Sequence, residues 1–108
     1  MATTYKVLGQ VAPSASAMTD LYTVPAGTST VCSTLSVCAR GATSSFRIAV
    51  RPAGATLADE HYMVYDNWVD ARDSVFLTLG ITLAATDVIS VWADQATVTF
   101  QLYGSEIV

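Results

Sequence analysis

The chain has 108 residues, of which 52% are apolar and only 13% charged, with a formal net charge of −4. That is one domain of ordinary size, and its charged fraction falls well below the roughly 25% usual in soluble domains. Lys6, Arg40, Arg47, Arg51 and Arg72 are scattered. They form no basic stripe that could displace counterions from a phosphate backbone, so nucleic acid is not expected as a partner. No apolar run approaches the length of about 20 residues that crosses a bilayer, and no membrane is expected. The start, "MATTYKVLGQVAPSA", lacks a long apolar h-region, which reads as a chain made in a cytoplasm.

Strand-like runs follow one another along the chain, divided by Gly, Pro, Asp and Asn. "TYKVLGQVA" spans Thr4 to Ala12, "PSASAM" interrupts it, and "TDLYTV" leads to a turn at Pro25-Ala26-Gly27. "STVCSTLSVCA" reads as a long strand with Val31, Leu35, Val37 and Ala39 on one face. "SSFRIAV" alternates most clearly. Phe46, Ile48 and Val50 share one side, and Arg47, Ala49 and Arg51 share the other.

"RPAGATLADE" reads as the longest loop, with a short helical turn placed in Ala55–Glu60. "HYMVYD" then reads as a short strand, in which His61, Met63 and Tyr65 share a half-apolar face. "NWVDARD" reads as a polar connection carrying Trp68. "LTLGITLAATDVISVW", Leu77 to Trp92, reads as a hairpin: Leu77, Leu79, Ile81 and Leu83 face the core and Ala84 to Thr86 turn the chain. "ATVTFQLYGSEIV" closes the sequence with Val98, Phe100 and Leu102 inward.

No segment holds a period of 3.6 over three turns. About eight short strands at roughly ten-residue spacing predict an all-β chain: a single antiparallel β-sandwich, jelly-roll-like, with residues 1–108 as one domain.

The residues offer little chemistry. Nucleophilic catalysis needs a base beside the nucleophile, and His61 is the one histidine. Asp59 and Glu60 precede it, but neighbouring strand residues face opposite sides, and no serine stands in a G-x-S-x-G turn. No catalytic residues are assigned. One histidine and two cysteines do not build an ordinary zinc site. Asp66, Asp70 and Asp73 lack the spacing and the glycine of a calcium loop. The Gly-containing turns lack a phosphate-loop lysine. No metal or cofactor is expected. Cys32 and Cys38, six apart on one strand, would lie roughly 20 Å apart, beyond the roughly 7 Å limit of a disulfide. They are read as reduced, buried thiols.

Contact residues are the remaining candidates. Trp68 in its polar connection, with Tyr65 nearby, suits an interface anchor, or else folds back over a sandwich edge. Trp92, level with Val88 and Ser90, suits packing on a sheet face. Arg47 and Arg51 share an outer face and could pair with acids of a neighbouring subunit or equally stay solvated.

Several stretches in order, "LYTVPAGTSTV", "SFRIAVRPAGATLADEHYMVYD", "LTLGITLAATDVISVWA" and "VTFQLYGSEIV", resemble small virion structural proteins of tailed bacteriophages. The likeness covers about Leu21 to Ile107. It implies a virion protein without deciding its place and brings no catalytic residues; the leading expectation is a non-enzymatic capsid cement or decoration protein bound to the major capsid protein, with a neck, tail or fibre accessory protein as the alternative. "LAATDVISVWA" is also similar to the L-x-x-G-D-x-V-x-V hairpin of jelly-roll domains of the tumour-necrosis-factor and C1q type, with Thr86 in place of the glycine. Those domains are trimers, and the likeness implies a homotrimer. Met1 to Ser16 and Gly104 to Val108, at the termini, are placed to exchange between copies. A carbohydrate- or receptor-binding sandwich, using Trp68, Tyr65 and nearby acids, is the rival from another class.

Overall fold

The computed structural model describes residues 2–108. Eight strands form: β1 (Thr3–Val11), β2 (Thr19–Thr23), β3 (Ser29–Ala39), β4 (Ser44–Arg51), β5 (Tyr62–Val69), β6 (Ser74–Leu83), β7 (Val88–Ala93) and β8 (Val98–Ile107). They make two four-stranded antiparallel sheets, ordered β1-β8-β3-β6 and β2-β7-β4-β5. This is the strand order of a jelly roll, so the chain is the all-β sandwich its periodicity predicts. Short 3₁₀ turns at Pro52–Gly54 and Asp59–His61 are the helical elements among the described residues, and the second overlaps the end of the turn expected in Ala55–Glu60.

The inward faces carry the apolar alternation. Leu35, Val37 and Ala39 of β3 and Val98, Phe100 and Leu102 of β8 meet Phe46 and Ile48 of β4 and Ile89 and Val91 of β7, all fully buried. Phe46 and Phe100 come from opposite sheets and pack edge to face, 6.4 Å between centroids, the arrangement that ring quadrupoles favour.

Three expectations are corrected. First, "LTLGITLAATDVISVW" is not a hairpin. The turn is present at Ala84 to Thr86, but β6 pairs with β3 and β7 with β2 and β4. The turn carries the chain from one sheet to the other. Among the described residues, β4 and β5 are the one consecutive pair that share a sheet.

Second, β3 does not keep one parity. Its register shifts between Cys32 and Thr34 against both neighbours. A bulge adds one residue and reverses which side chains face inward. Thr30 and Cys32 point into the core before it, and Leu35, Val37 and Ala39 after it, so Val31 lies on the outer face. Cys32 and Cys38 therefore face opposite sides. Both are free thiols, with Cys32 buried and Cys38 half-buried. Burial without a partner pushes the Cys32 thiol up to about 11.

Third, Trp68 is not in a loop. The strand expected to end near Asp66 runs on to Val69. Two register shifts in β5 make this possible, with Asp66 in the left-handed region at φ 54°. The same shifts place Tyr62, rather than His61 and Met63, beside Tyr65.

The termini are tied together. β1 pairs with β8 of the same chain, and Ala2 and Val108 exchange two backbone hydrogen bonds. Of the terminal segment read as exchangeable, Met1 lies outside the described residues.

Candidate functional site

The two outer faces of the sandwich differ in kind. On the β2-β7-β4-β5 sheet, β4 alternation sends Arg47, Ala49 and Arg51 outward, opposite Trp92, Ser90 and Val88 of β7. Arg47 donates from Nε to Asp66 Oδ1 at 2.6 Å and from Nη2 to Oδ2 at 3.2 Å. This fork geometry matches a carboxylate with two parallel bonds. The pairing lowers the Asp66 pKa and raises that of Arg47. The guanidinium carbon also lies 4.2 Å from the Tyr65 ring centroid and 4.1 Å from that of Trp92. Tyr62 meets Tyr65 edge-on at 4.9 Å.

Arg51 is equally committed. It donates to Asp20 Oδ1 at 2.8 Å, to Ser90 Oγ at 3.1 Å and to the carbonyls of Gly54 and Ala55. One side chain thereby joins β4, β7, β2 and the loop after Pro52. Within the chain, both arginines of the outer face meet an acid, Arg47 at Asp66 and Arg51 at Asp20. Trp68, 60% exposed, and Tyr65, 59% exposed, stay open to solvent on this face.

The outer face of the β1-β8-β3-β6 sheet is different. Register and alternation place Tyr5, Val7 and Gln10 of β1 there, with Gln101, Tyr103 and Ser105 of β8. They are joined by Val31, Thr34, Ser36 and Cys38 of β3 and by Ser74, Phe76, Thr78 and Thr82 of β6. None of these residues carries a charge; Thr99, opposite Cys38 on the same face, accepts from Arg40 Nε at 2.9 Å, which sets one guanidinium at its margin. Tyr5 is 84% exposed and Phe76 70%. Four strands at about 4.8 Å and ten residues at about 3.3 Å give a face of roughly 600 Å². A standard interface buries about 800 Å² per partner.

Two further charges of this sheet, Lys6 and Glu106, meet at its end. Glu106 accepts from Lys6 Nζ at 2.9 Å and from the Tyr22 hydroxyl of the other sheet at 2.5 Å. The hydroxyl also meets Thr30 Oγ1 at 2.8 Å. Those two donors, Tyr22 first, hold the Glu106 carboxyl below its ordinary range. Burial and the neighbouring carboxylate push the Tyr22 phenol up.

A groove of about 470 Å³ opens between the β4–β5 end and the edge strand β6, lined by Val50, Met63, Ile81, Leu83, Glu60 and His61 among others. His61 Nδ1 accepts the Ala58 N–H at 3.0 Å, which leaves the ring proton on Nε2. No serine or cysteine lines this groove. Among the described residues, no three His, Cys, Asp or Glu side chains group as metal ligands.

Two arrangements were not foreseen from sequence: the Tyr22–Glu106–Lys6 cluster and the uncharged face. The second left a signal, since "STVCSTLSVC" and "SVFLTLGITL" contain no charged residue. In comparisons with known proteins, no family model and no curated protein matches this chain.

Proposed function

We propose that this chain is a non-enzymatic structural protein of a tailed-bacteriophage virion, a cement or decoration protein that binds the major capsid protein. The observation that carries this reading is the uncharged, aromatic-bearing outer face of the β1-β8-β3-β6 sheet. Interface centres are depleted of charge and enriched in aromatics, and an open patch of this kind marks a contact surface. The acids and bases on the other face pair within the chain, which leaves that face self-contained. The ordered sequence likeness to small phage virion proteins points the same way. It also leaves a neck, tail or fibre position as the alternative, and the homotrimer rests on the separate likeness of "LAATDVISVWA" to jelly-roll domains of the tumour-necrosis-factor and C1q type.

A glycan-binding module is the second reading, favoured by exposed Trp68 and Tyr65. Against it, Arg47 already stacks on Tyr65 and Trp92, which takes one face of the Tyr65 ring and leaves Trp68 to carry a sugar. An enzymatic role has no support from His61, whose Nδ1 is spent on the backbone.

The test is a particle made without this chain. A cement protein predicts that such particles assemble but break at lower temperature and under milder osmotic shock, and that adding the purified chain restores them. Particles of unchanged strength would overturn the cement reading.

A further inference from the structure

The outer face of the β1-β8-β3-β6 sheet is not flat. The register shifts at Val7/Gly9 in β1 and at Cys32/Thr34 in β3 flank the same stretch of β8. Beside them the face sinks into a depression of about 460 Å³, lined by Tyr5, Val31, Ser33, Tyr103 and Ser105, with Lys6 at its side. Ser105 is small and buried, and makes the floor. The Tyr103 hydroxyl donates to Gln101 Oε1, which draws that ring along β8 away from Ser105 and keeps the depression open. The same face carries a knob. Phe76, opposite Ser36 in the ladder, is 70% exposed. Strand and residue spacings put it roughly 15 Å from the floor of the depression, with Thr34 about midway.

We infer that two copies of the free chain pack these faces together about a two-fold axis over Thr34, each seating its Phe76 in the depression of the other. A two-fold contact uses one patch twice. An axis lying in the contact plane, midway between knob and socket, carries each onto the other, so a single operation fills both. Phe76 then stands beside the Tyr5 and Tyr103 rings of the second copy, and aromatic pairs of this kind add to the burial of their area. The axis sets the strands of the two sheets roughly 90° apart, one of the two ways in which sheets pack face to face. The nearest charges stay outside the contact. Lys6 is held by Glu106 at the end of the sheet, and Arg40 is bound to Thr99 at the end of the face away from the depression. The face offers roughly 600 Å² per copy, about 1,200 Å² for the pair, at the lower end of specific interfaces. The dimer is accordingly weak and concentration-dependent. It is a property of the free chain and does not rest on the virion reading; in a virion, the capsid protein takes the place of the second copy on this face.

The test charges the knob and the socket wall separately. Phe76 and Tyr5 are both exposed, at 70% and 84%, so each can change without unfolding the chain, which thermal melts check. Sedimentation of the purified native chain is expected to show a monomer–dimer equilibrium. Phe76→Lys and Tyr5→Glu are each expected to weaken it roughly tenfold or more, as loss of a central aromatic anchor does. Mixed in equal amounts, the two variants are expected to form a heterodimer tighter than either homodimer. In that pair the new ammonium meets the new carboxylate, and the second contact is native. Trp68→Lys, on the outer face of the other sheet, is expected to leave association unchanged. The inference is overturned by a monomer at every concentration, by a trimer, by association that Phe76→Lys leaves unchanged, by a mixture that binds no tighter than its parts, or by an equal loss from Trp68→Lys. No particle is involved in these measurements, so their failure is distinct from failure of the virion reading.

Discussion

Replacing Thr86 with glycine is expected to stabilise the protein. Thr86 sits in the turn between β6 and β7 with φ 69°. An L-residue in the left-handed region costs about 1–2 kcal/mol, and a β-branched one lies at the upper end. The turn holds it there. Its N–H donates to the Val24 carbonyl at 3.0 Å, the Val24 N–H returns a bond to Asp87 O at 2.9 Å, and Asp87 Oδ2 accepts from Ala84 N at 2.9 Å. These bonds do not use the Thr86 Cβ, so Thr86→Gly keeps them. Glycine gives back about 0.5–1 kcal/mol through the greater freedom of the unfolded chain. The net gain is about 1 kcal/mol, or roughly 4 °C in Tm for a domain of this size. The glycine of the likened jelly-roll motif thus has a conformational reason at this position. Thr86→Ala, which removes the branch but keeps a Cβ, should fall between the two. Thermal melts followed by circular dichroism decide it. A Tm for Thr86→Gly equal to or below the parent's would refute the strain argument.

Further outcomes follow from the packing and the buried charges. Gly104→Ala would bring a Cβ to 2.1 Å from the Val31 carbonyl oxygen, forcing β3 and β8 apart. It should cost about 3 kcal/mol or more, read as a lowered urea midpoint. Leu35→Ala, at a fully buried site, should cost about 2–5 kcal/mol. Leu79→Ala on the half-exposed edge should cost clearly less, and equal midpoints would contradict the edge position of β6. Because the folded Glu106 pKa is depressed, its contribution is present above the unfolded value of 4.5 and is lost as pH falls through the lower folded value. Tyr22→Phe, which removes the largest cause of that depression, should flatten the acid side of the stability–pH curve.

Much of the fold could be read from period-two alternation. Phe46, Ile48, Val98, Phe100 and Leu102 sit where alternation puts them, and the turns at Pro25–Gly27 and Ala84–Thr86 are real. Which strands pair could not be read, because partners in a jelly roll are distant in sequence and β6 and β7 look locally like any hairpin. Bulges were also invisible. One extra residue near Ser33 moved Val31 outward and Cys32 inward without a mark in the composition. Trp68 was misplaced because "NWVDARD" is polar, yet an edge strand exposes most of its side chains. Arg47 and Arg51 were placed correctly on an outer face. Their acids, Asp66 and Asp20, become neighbours only once β5 is known to flank β4 and β2 to flank β7.

That the chain belongs to a virion lattice is tested most directly by counting it in purified particles against the major capsid protein by quantitative mass spectrometry. A high copy number in a fixed ratio to the major capsid protein is the result expected for a cement protein. A few copies per particle would move it to the neck, tail or fibre, and its absence from clean particles would contradict the virion reading.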